Sequence, residues 1–350
     1  MSIVFWPVVC LNRPPSPNDP EITIFMKRWL LQNWFLIGLA AAVILAWLFP
    51  EPGATGGVLH SQLLTRWGVM LIFFFQGLTL SLTVLRSGVM QWQLHLFVQF
   101  FVFGLIPLLA LTLIALGRAL LPEALRLGFL LLAVLPTTIA TNVAYTALTR
   151  GNVAGAVFNS TLSNLAGIFI TPLWIGLWLR AGGVTLPMGK LFLDISLMLL
   201  APLLAGQICR PFVQRSVDRH KAKLSIASSL IILFIVHAAF CNSWKNNIWA
   251  VHGNRTILLA AGGAVLLFSC ATALAYSGAR LLRFEPGNAR AALFCAPQKT
   301  LAAGAPLAKL IFASHPDLSL ILLPIMLYHP LQLLAGGLMV HRINHPSPKK

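Results

Sequence analysis

The sequence predicts an all-α membrane protein with ten transmembrane helices, and three observations carry that expectation. The chain is 58% hydrophobic and 9% charged, with a mean hydropathy of +0.82, whereas a soluble domain carries roughly 25% charged residues. Its apolar residues fall in ten runs of about 20 residues, the length that crosses a bilayer. Two of those runs are interrupted midway by proline, hydroxyl and amide residues.

Taken in order, residues 1–25 are rich in proline (Pro7, Pro14, Pro15, Pro17, Pro20) and read as a disordered tail. Met26-Lys27-Arg28-Trp29 follows as a natural start, with a basic flank ahead of the first apolar run. That run is too long for a signal peptide and lacks the small-residue cleavage site. The spans cover 30–49, 62–84, 92–117, 124–148, 153–179, 190–209, 223–241, 255–280, 287–313 and 317–340. Spans one and six, spans two and seven, and the prolines Pro136 and Pro297 are each separated by about 160 residues. Five helices followed by five more, an odd number in each half, invert the second half relative to the first. The repeats are then 26–185 and 186–343, with a cytoplasmic tail at 344–350.

The net charge of +17 would suit a nucleic-acid binder. The basic residues, however, form no single patch and lie between apolar runs. With both termini in the cytoplasm, 16 of them fall inside and 8 outside, with Lys299 in the membrane, which is the bias that orients membrane proteins. The cluster from Arg210 to Lys223 is the strongest anchor. The implied partners are therefore the lipid bilayer and a small solute, and no nucleic acid. Cys10, Cys209, Cys241, Cys270 and Cys295 form no CxxC and have no histidine spacing suited to zinc, so no metal or cofactor is expected. There is no GxSxG, no HExxH and no intramembrane Asp pair, which argues against an enzyme.

The interruptions are Leu135-Pro136-Thr137-Thr138-Ile139-Ala140-Thr141-Asn142 and the stretch from Cys295 to Pro306. Proline removes a donor and frees backbone carbonyls, which hydrocarbon cannot satisfy. Such a pair in corresponding halves points to a transporter binding site. Thr137, Thr138, Thr141 and Asn142 add hard, neutral oxygens suited to a monovalent cation or to a substrate's donors, although a threonine hydroxyl can also bond back to the preceding turn. In span five, Asn159, Ser160, Ser163 and Asn164 share one helix face, which either lines a cavity or joins helices; Asn152 sits near an end. Gln76 and Gln99 leave the same two readings open. Lys299 lies midway between Pro286 and Pro316, too deep to snorkel, and no carboxylate occupies the centre of any span. Asp194, one turn into span six, is within reach of Lys190 at i,i+4. A buried ammonium must find carbonyls or amides, lose its proton, or meet an anion, and each outcome places Lys299 and the adjoining Thr300 at a cavity. His95, His237 and His329 read as packing or hydrogen-bonding groups.

Gln76-Gly77-Leu78-Thr79-Leu80, the segment Pro136 to Asn142 followed by Arg150-Gly151-Asn152-Val153-Ala154, and Gln298-Lys299-Thr300 together resemble the bile acid:sodium symporter superfamily, in the SBF-like branch shared by bacteria and vertebrates. The resemblance covers about residues 26–343. It implies a panel domain of spans one, two, six and seven and a core domain of spans three to five and eight to ten, with spans four and nine broken and crossing. It also implies cation-site-like positions at Gln99, Thr141, Asn142, Ser160, Gln298 and Lys299; a second span-five hydroxyl falls on Ala156. Relatives place a glutamate just before the span-nine glutamine, but Phe294-Cys295-Ala296-Pro297-Gln298-Lys299 has no acid and an added cation.

Two sodium ions beside that ammonium would be repelled in a site of low dielectric. The expectation is a secondary active transporter moving a small organic anion by alternating access, not coupled to two sodium ions, with sodium or a proton left open as coupling ion. Bile acids do not carry over as the substrate. Thr137, Thr138, Asn159, Ser163, Asn164, Lys299 and Thr300 are the substrate-binding candidates. The bacterial inner membrane, as the plasma membrane, is the expected location, and a transport-inactive regulatory or scaffolding protein that keeps the fold is the alternative. Mass spectrometry of the native protein is expected to find Met26 as the first residue; a mature chain that keeps residues 1–25 would count against that start.

Overall fold

The computed structural model describes residues 34–80, 90–181, 189, 193, 196–312 and 315–345. The proline-rich tail, the start of the first span, Arg86, the Lys190–Asp194 pair and residues 346–350 lie outside them. Among the described residues every regular element is helical. The chain begins with α1 (Trp34–Leu48), a single turn α2 (Pro50–Gly53) and α3 (Ser61–Thr79). Next come α4 (Trp92–Leu116), α5 (Glu123–Val134), α6 (Ala140–Leu148) and α7 (Val153–Ala181). The second part holds α8 (Ala201–Lys245), α9 (Ile248–Leu281), α10 (Pro286–Cys295), α11 (Leu301–Ile311) and α12 (Leu318–Asn344).

By length and composition, five described helices could cross a bilayer: α4, α7, Leu197–Lys245, Arg255–Leu281 and α12. α1 and α11 are shorter apolar helices. The pairs α5/α6 and α10/α11 are each separated by five residues, 135–139 and 296–300, that are not helical. Two groupings are visible in the packing. α8 lies on α1, α2 and α3, while α12 lies on α5, α9 and α11. The apolar core is densest around α5, whose Leu125, Leu130, Leu131, Leu132 and Val134 are fully buried.

One expectation is corrected here. The sequence suggests a loop between spans six and seven, but helical hydrogen bonding runs unbroken through Ala201–Lys245. The physical reason is composition: Arg210 to Lys223 contains no glycine, and Arg and Lys, both good helix formers, supply five of its 14 residues. The run is nevertheless far from straight. Gly206 packs on Gly77 and Ile231 on Gly68, which limits the 206–231 separation to about 25 Å, against about 37 Å in a straight helix. α8 therefore bends back sharply, and Pro211, which removes a helical donor, lies within the bend. A salt bridge between Arg210 and Asp218, 3.8 Å long, joins residues that a straight helix would separate by about 12 Å.

The crossing of α3 and α8 depends on two glycines. A Cβ on Gly77 would lie 2.1 Å from the Leu203 carbonyl oxygen, and one on Gly206 would lie 2.3 Å from that of Phe74. This closeness lets α8 side chains cap α3: Gln207 Nε2 donates to the carbonyls of Gly77 and Leu80 at 2.8 Å each, and Arg210 Nη1 donates to that of Leu78 at 2.5 Å. The terminal carbonyls of a helix need such partners. Gly206→Val is expected to lower stability by about 1–3 kcal/mol through overpacking. Thermal unfolding in detergent measures this, and Gly262→Ala, where an added Cβ meets nothing within 4 Å, should melt like the parent.

Candidate functional site

Helix is interrupted on both sides of Pro136 and of Pro297, and the two interruptions touch. The Thr300 N–H donates to the Pro136 carbonyl at 3.0 Å. The close approach of α7 to the first break requires Gly167, where a Cβ would sit 2.9 Å from the Pro136 ring.

Every carbonyl from Ala133 to Thr137 has a donor that is not part of its own helix. Thr171 Oγ1 donates to Val134 at 2.7 Å, and Asn164 Nδ2 donates to Thr137 at 2.8 Å. Thr300 takes Pro136, and Lys299 Nζ takes Ala133 at 2.6 Å and Leu135 at 2.9 Å. The Thr137 N–H, which would otherwise bond to Ala133, donates instead to Ser163 Oγ at 3.1 Å. Ser160, Ser163 and Asn164 on α7 thus pack on the break, while Asn159 on the same helix turns to Gln99. Asn164 and Ser163 bond directly to the backbone of the break, and Ser160 Oγ accepts from Asn142 Nδ2 at 3.0 Å.

Lys299 is fully buried, and its nitrogen has a third partner, the Val102 carbonyl at 2.9 Å. Three acceptors match the three N–H bonds of an ammonium. Val102 is free to accept because of a π turn at Phe101–Leu105 within α4. There the Ile106 N–H reaches back to Phe101 rather than Val102, and the next residue is Pro107, which has no N–H to give. Phe103 loses its helical donor to the same proline, and Trp174 Nε1 supplies one at 3.0 Å.

The second break is held from α12. Gln332 forms a two-point clamp on the Lys299 peptide groups, accepting from its N–H and donating to its carbonyl, each at 2.8 Å. Tyr328 Oη donates to the Pro297 carbonyl at 2.6 Å, and His329 Nδ1 lies 3.0 Å from Gln332 Nε2. Sequence reasoning overlooked Tyr328, Gln332, Thr171 and Trp174. The available signal was three hydrogen-bonding side chains, Tyr328, His329 and Gln332, within about one turn of an apolar helix.

The remaining candidates fall into two groups. Thr141 Oγ1 donates to Gln298 Oε1 at 2.5 Å, and Asn142 Nδ2 also donates to Thr137 Oγ1 at 2.8 Å, so these side chains join the two breaks to α7. Gln99 is paired with Asn159, donating to its backbone carbonyl at 3.1 Å and its side-chain oxygen at 3.3 Å. Thr138 and Thr300 lie in the breaks and are also buried. In this conformation Thr137, Asn142, Asn159, Ser160, Ser163, Gln298 and Lys299 expose no surface to solvent. Gln298 Nε2, Asn142 Oδ1 and Gln99 Oε1 are buried without a hydrogen-bond partner in the protein, which leaves amide donors and acceptors available at this junction.

Asn152 stands apart from the breaks. It caps α7 by accepting from the Gly155 N–H at 2.9 Å, and its amide reaches Gln91 and, at 2.7 Å, Asn288. His95 stacks on Phe158, and His237 bonds to the Ala42 carbonyl. Cys295 is buried, 4.0 Å from Ser160 Oγ. Among the described residues no three His, Cys, Asp or Glu side chains gather to hold a metal.

Residues 33–345 match the sequence pattern of the SBF-like CPA transporter family. Sodium/bile acid cotransporter 7 of Danio rerio is 32% identical over 315 residues, 89% of this chain and 94% of that protein. The protein of the same name from Rattus norvegicus is 31% identical over 315 residues, covering 89% and 92%. The uncharacterized protein PA2026 of Pseudomonas aeruginosa is 35% identical over 316 residues, covering 90% and 93%.

Gln332→Leu strands both a donor and an acceptor of the Lys299 backbone, and is expected to cost about 2–6 kcal/mol. Tyr328→Phe strands one carbonyl and should cost about 1–3 kcal/mol. Thermal unfolding should rank them in that order; equal midpoints for both variants and the parent would show that the second break needs no clamp.

Proposed function

The chain belongs to the SBF-like CPA transporter family, and from that premise we propose that it is a secondary active transporter for a small organic anion, working by alternating access. It is an integral membrane protein; in this reading it lies in the bacterial inner membrane, and the charge bias favours both termini in the cytoplasm. In this reading the finer architecture is ten spans in a five-plus-five inverted repeat. α1 to α3 with α8 form the panel, and α4 to α7 with α9 to α12 form the core. Hydrogen bonds from Lys299, Thr300 and Gln332 join α4, both breaks and α12, and so favour motion of that core as one body.

The observation that carries the coupling reading is the Lys299 nitrogen held between the breaks by three carbonyls. We read it as an ammonium, one fixed positive charge, and among the described residues no carboxylate pairs with it. A sodium ion bound by Thr141, Asn142 and Gln298 would lie close to that charge, and two unit charges about 7 Å apart repel by about 2 kcal/mol at an effective dielectric of about 20. The names of the vertebrate relatives pair sodium with bile acid; here the resident charge disfavours coupling to two sodium ions and favours an anionic substrate. Thr137, Thr138, Asn159, Ser163, Asn164 and Thr300 would supply neutral donors and acceptors when the breaks open to one side, with the lysine acting through its field. A proton or a single sodium ion is left as the coupling ion. No enzyme activity and no cofactor belong to this reading. Full burial of the same residues also suits a scaffold that keeps the fold without transport, and uptake separates the two.

Thermal-shift screening of purified protein against carboxylates and sulfonates, with and without sodium, identifies a ligand without a prior guess. Uptake of that ligand into liposomes should then be driven by a proton gradient or by sodium with a Hill slope no greater than about one, and vanish in Lys299→Ala at unchanged expression. Sodium-driven uptake with a Hill slope near two, or full uptake by Lys299→Ala, would refute the assignment; no uptake of any stabilising ligand would favour the scaffold.

A further inference from the structure

We infer that the carbonyls of Val102, Ala133 and Leu135 form a monovalent-cation site of ammonium or potassium size, which the protein fills with its own Lys299 side chain. The oxygens converge on one point at 2.6–2.9 Å. Each is available for a reason in the backbone rather than in the lysine. Val102 loses its donor to the π turn and Pro107, Ala133 loses its donor because the Thr137 N–H turns to Ser163, and Leu135 lies past the end of α5. The cage therefore belongs to the fold, and the ammonium is its occupant. Backbone carbonyls can replace the hydration shell of a monovalent ion; here the three oxygens would replace part of it, and water in the space left by a shortened side chain would complete it.

Two further features favour one positive charge there. Ala133 and Leu135 lie at the C-terminal end of α5, where the helix dipole is negative and the last carbonyls have no helical donors. The described acids Glu51, Glu123, Asp218, Glu285 and Asp317 are elsewhere, so among the described residues only backbone dipoles meet the charge. The spacing is that of charge-assisted N–H···O contacts. It suits potassium or ammonium better than the smaller sodium ion, which draws its oxygens closer.

This inference shares with the transport reading the assignment of Lys299 as a resident charge, but it requires no transport. It is tested through stability. Wild-type protein and Lys299→Ala are melted in detergent in potassium, ammonium, sodium and choline chloride at equal ionic strength. The wild-type midpoint should be the same in all four, because its cage is filled. Lys299→Ala should melt at least about 4 °C higher in potassium or ammonium than in choline, saturably, with sodium between.

Lys299→Gln, which reaches the cage with two N–H bonds and no charge, should fall between wild type and Lys299→Ala in choline and respond weakly to cations. A Lys299→Ala midpoint indifferent to the cation, a Lys299→Ala protein that cannot be isolated even in potassium, a Lys299→Gln protein as stable as wild type, or saturable stabilisation of wild type by potassium would each overturn the inference. A failed uptake assay would leave it standing, and a cation-indifferent variant would leave transport standing.

Discussion

A backbone carbonyl inside a bilayer must have a donor, since hydrocarbon offers none and each unpaired group costs several kcal/mol. Prolines at 107, 136 and 297 create that demand at three places around the breaks, and the centre of the structure is the set of donors that meets it. Thr171, Asn164, Trp174, Tyr328, Gln332, Lys299 and the Thr300 N–H come from α7, α12 and the second break. Polar side chains within these apolar helices are thus explained first by the backbone they complete. The candidate binding residues are built on this scaffold, with Thr141, Asn142, Ser160 and Gln298 joined across it.

How much of this could be read in advance depended on whether a residue announces itself by type. Pro136 and Pro297 did, because each stands among clustered hydroxyls or amides, whereas Pro172, Pro324 and Pro330 sit inside continuous helices; so did the hydroxyl and amide face from Asn159 to Asn164. Lys299 announced its burial, though not its partners: a backbone oxygen such as that of Val102 has no signature in the side-chain alphabet, and a π turn is not encoded by Phe-Val-Phe-Gly-Leu in any evident way. Gln332 and Tyr328 were hidden for another reason. A lone amide or phenol in a membrane helix has many ordinary uses, and only the second break, distant in sequence, singles these two out. The bend in α8 was hidden by composition, since its basic residues read equally as a loop on the membrane surface and as good helix.

The electrostatic character of the junction turns on the residues around the span-nine glutamine. This chain carries Ala296 and Pro297 before Gln298 and Lys299 after it, so this stretch has no acid and one basic side chain. The nitrogen of that side chain is spent on the backbone carbonyls of Val102, Ala133 and Leu135. The neutral groups of Thr141, Asn142 and Gln298 are joined by separate hydrogen bonds.

Arg210 links two parts of the chain usually treated apart. Its guanidinium closes the last turn of α3 through the Leu78 carbonyl, and it also meets Asp218 across the bend of α8. Neutralising it would therefore be felt twice, once by a helix end left to fray and once by a basic run that loses its pairing with Asp218. The end of one helix and the reversal of another hang on this side chain, so the two would loosen together rather than independently.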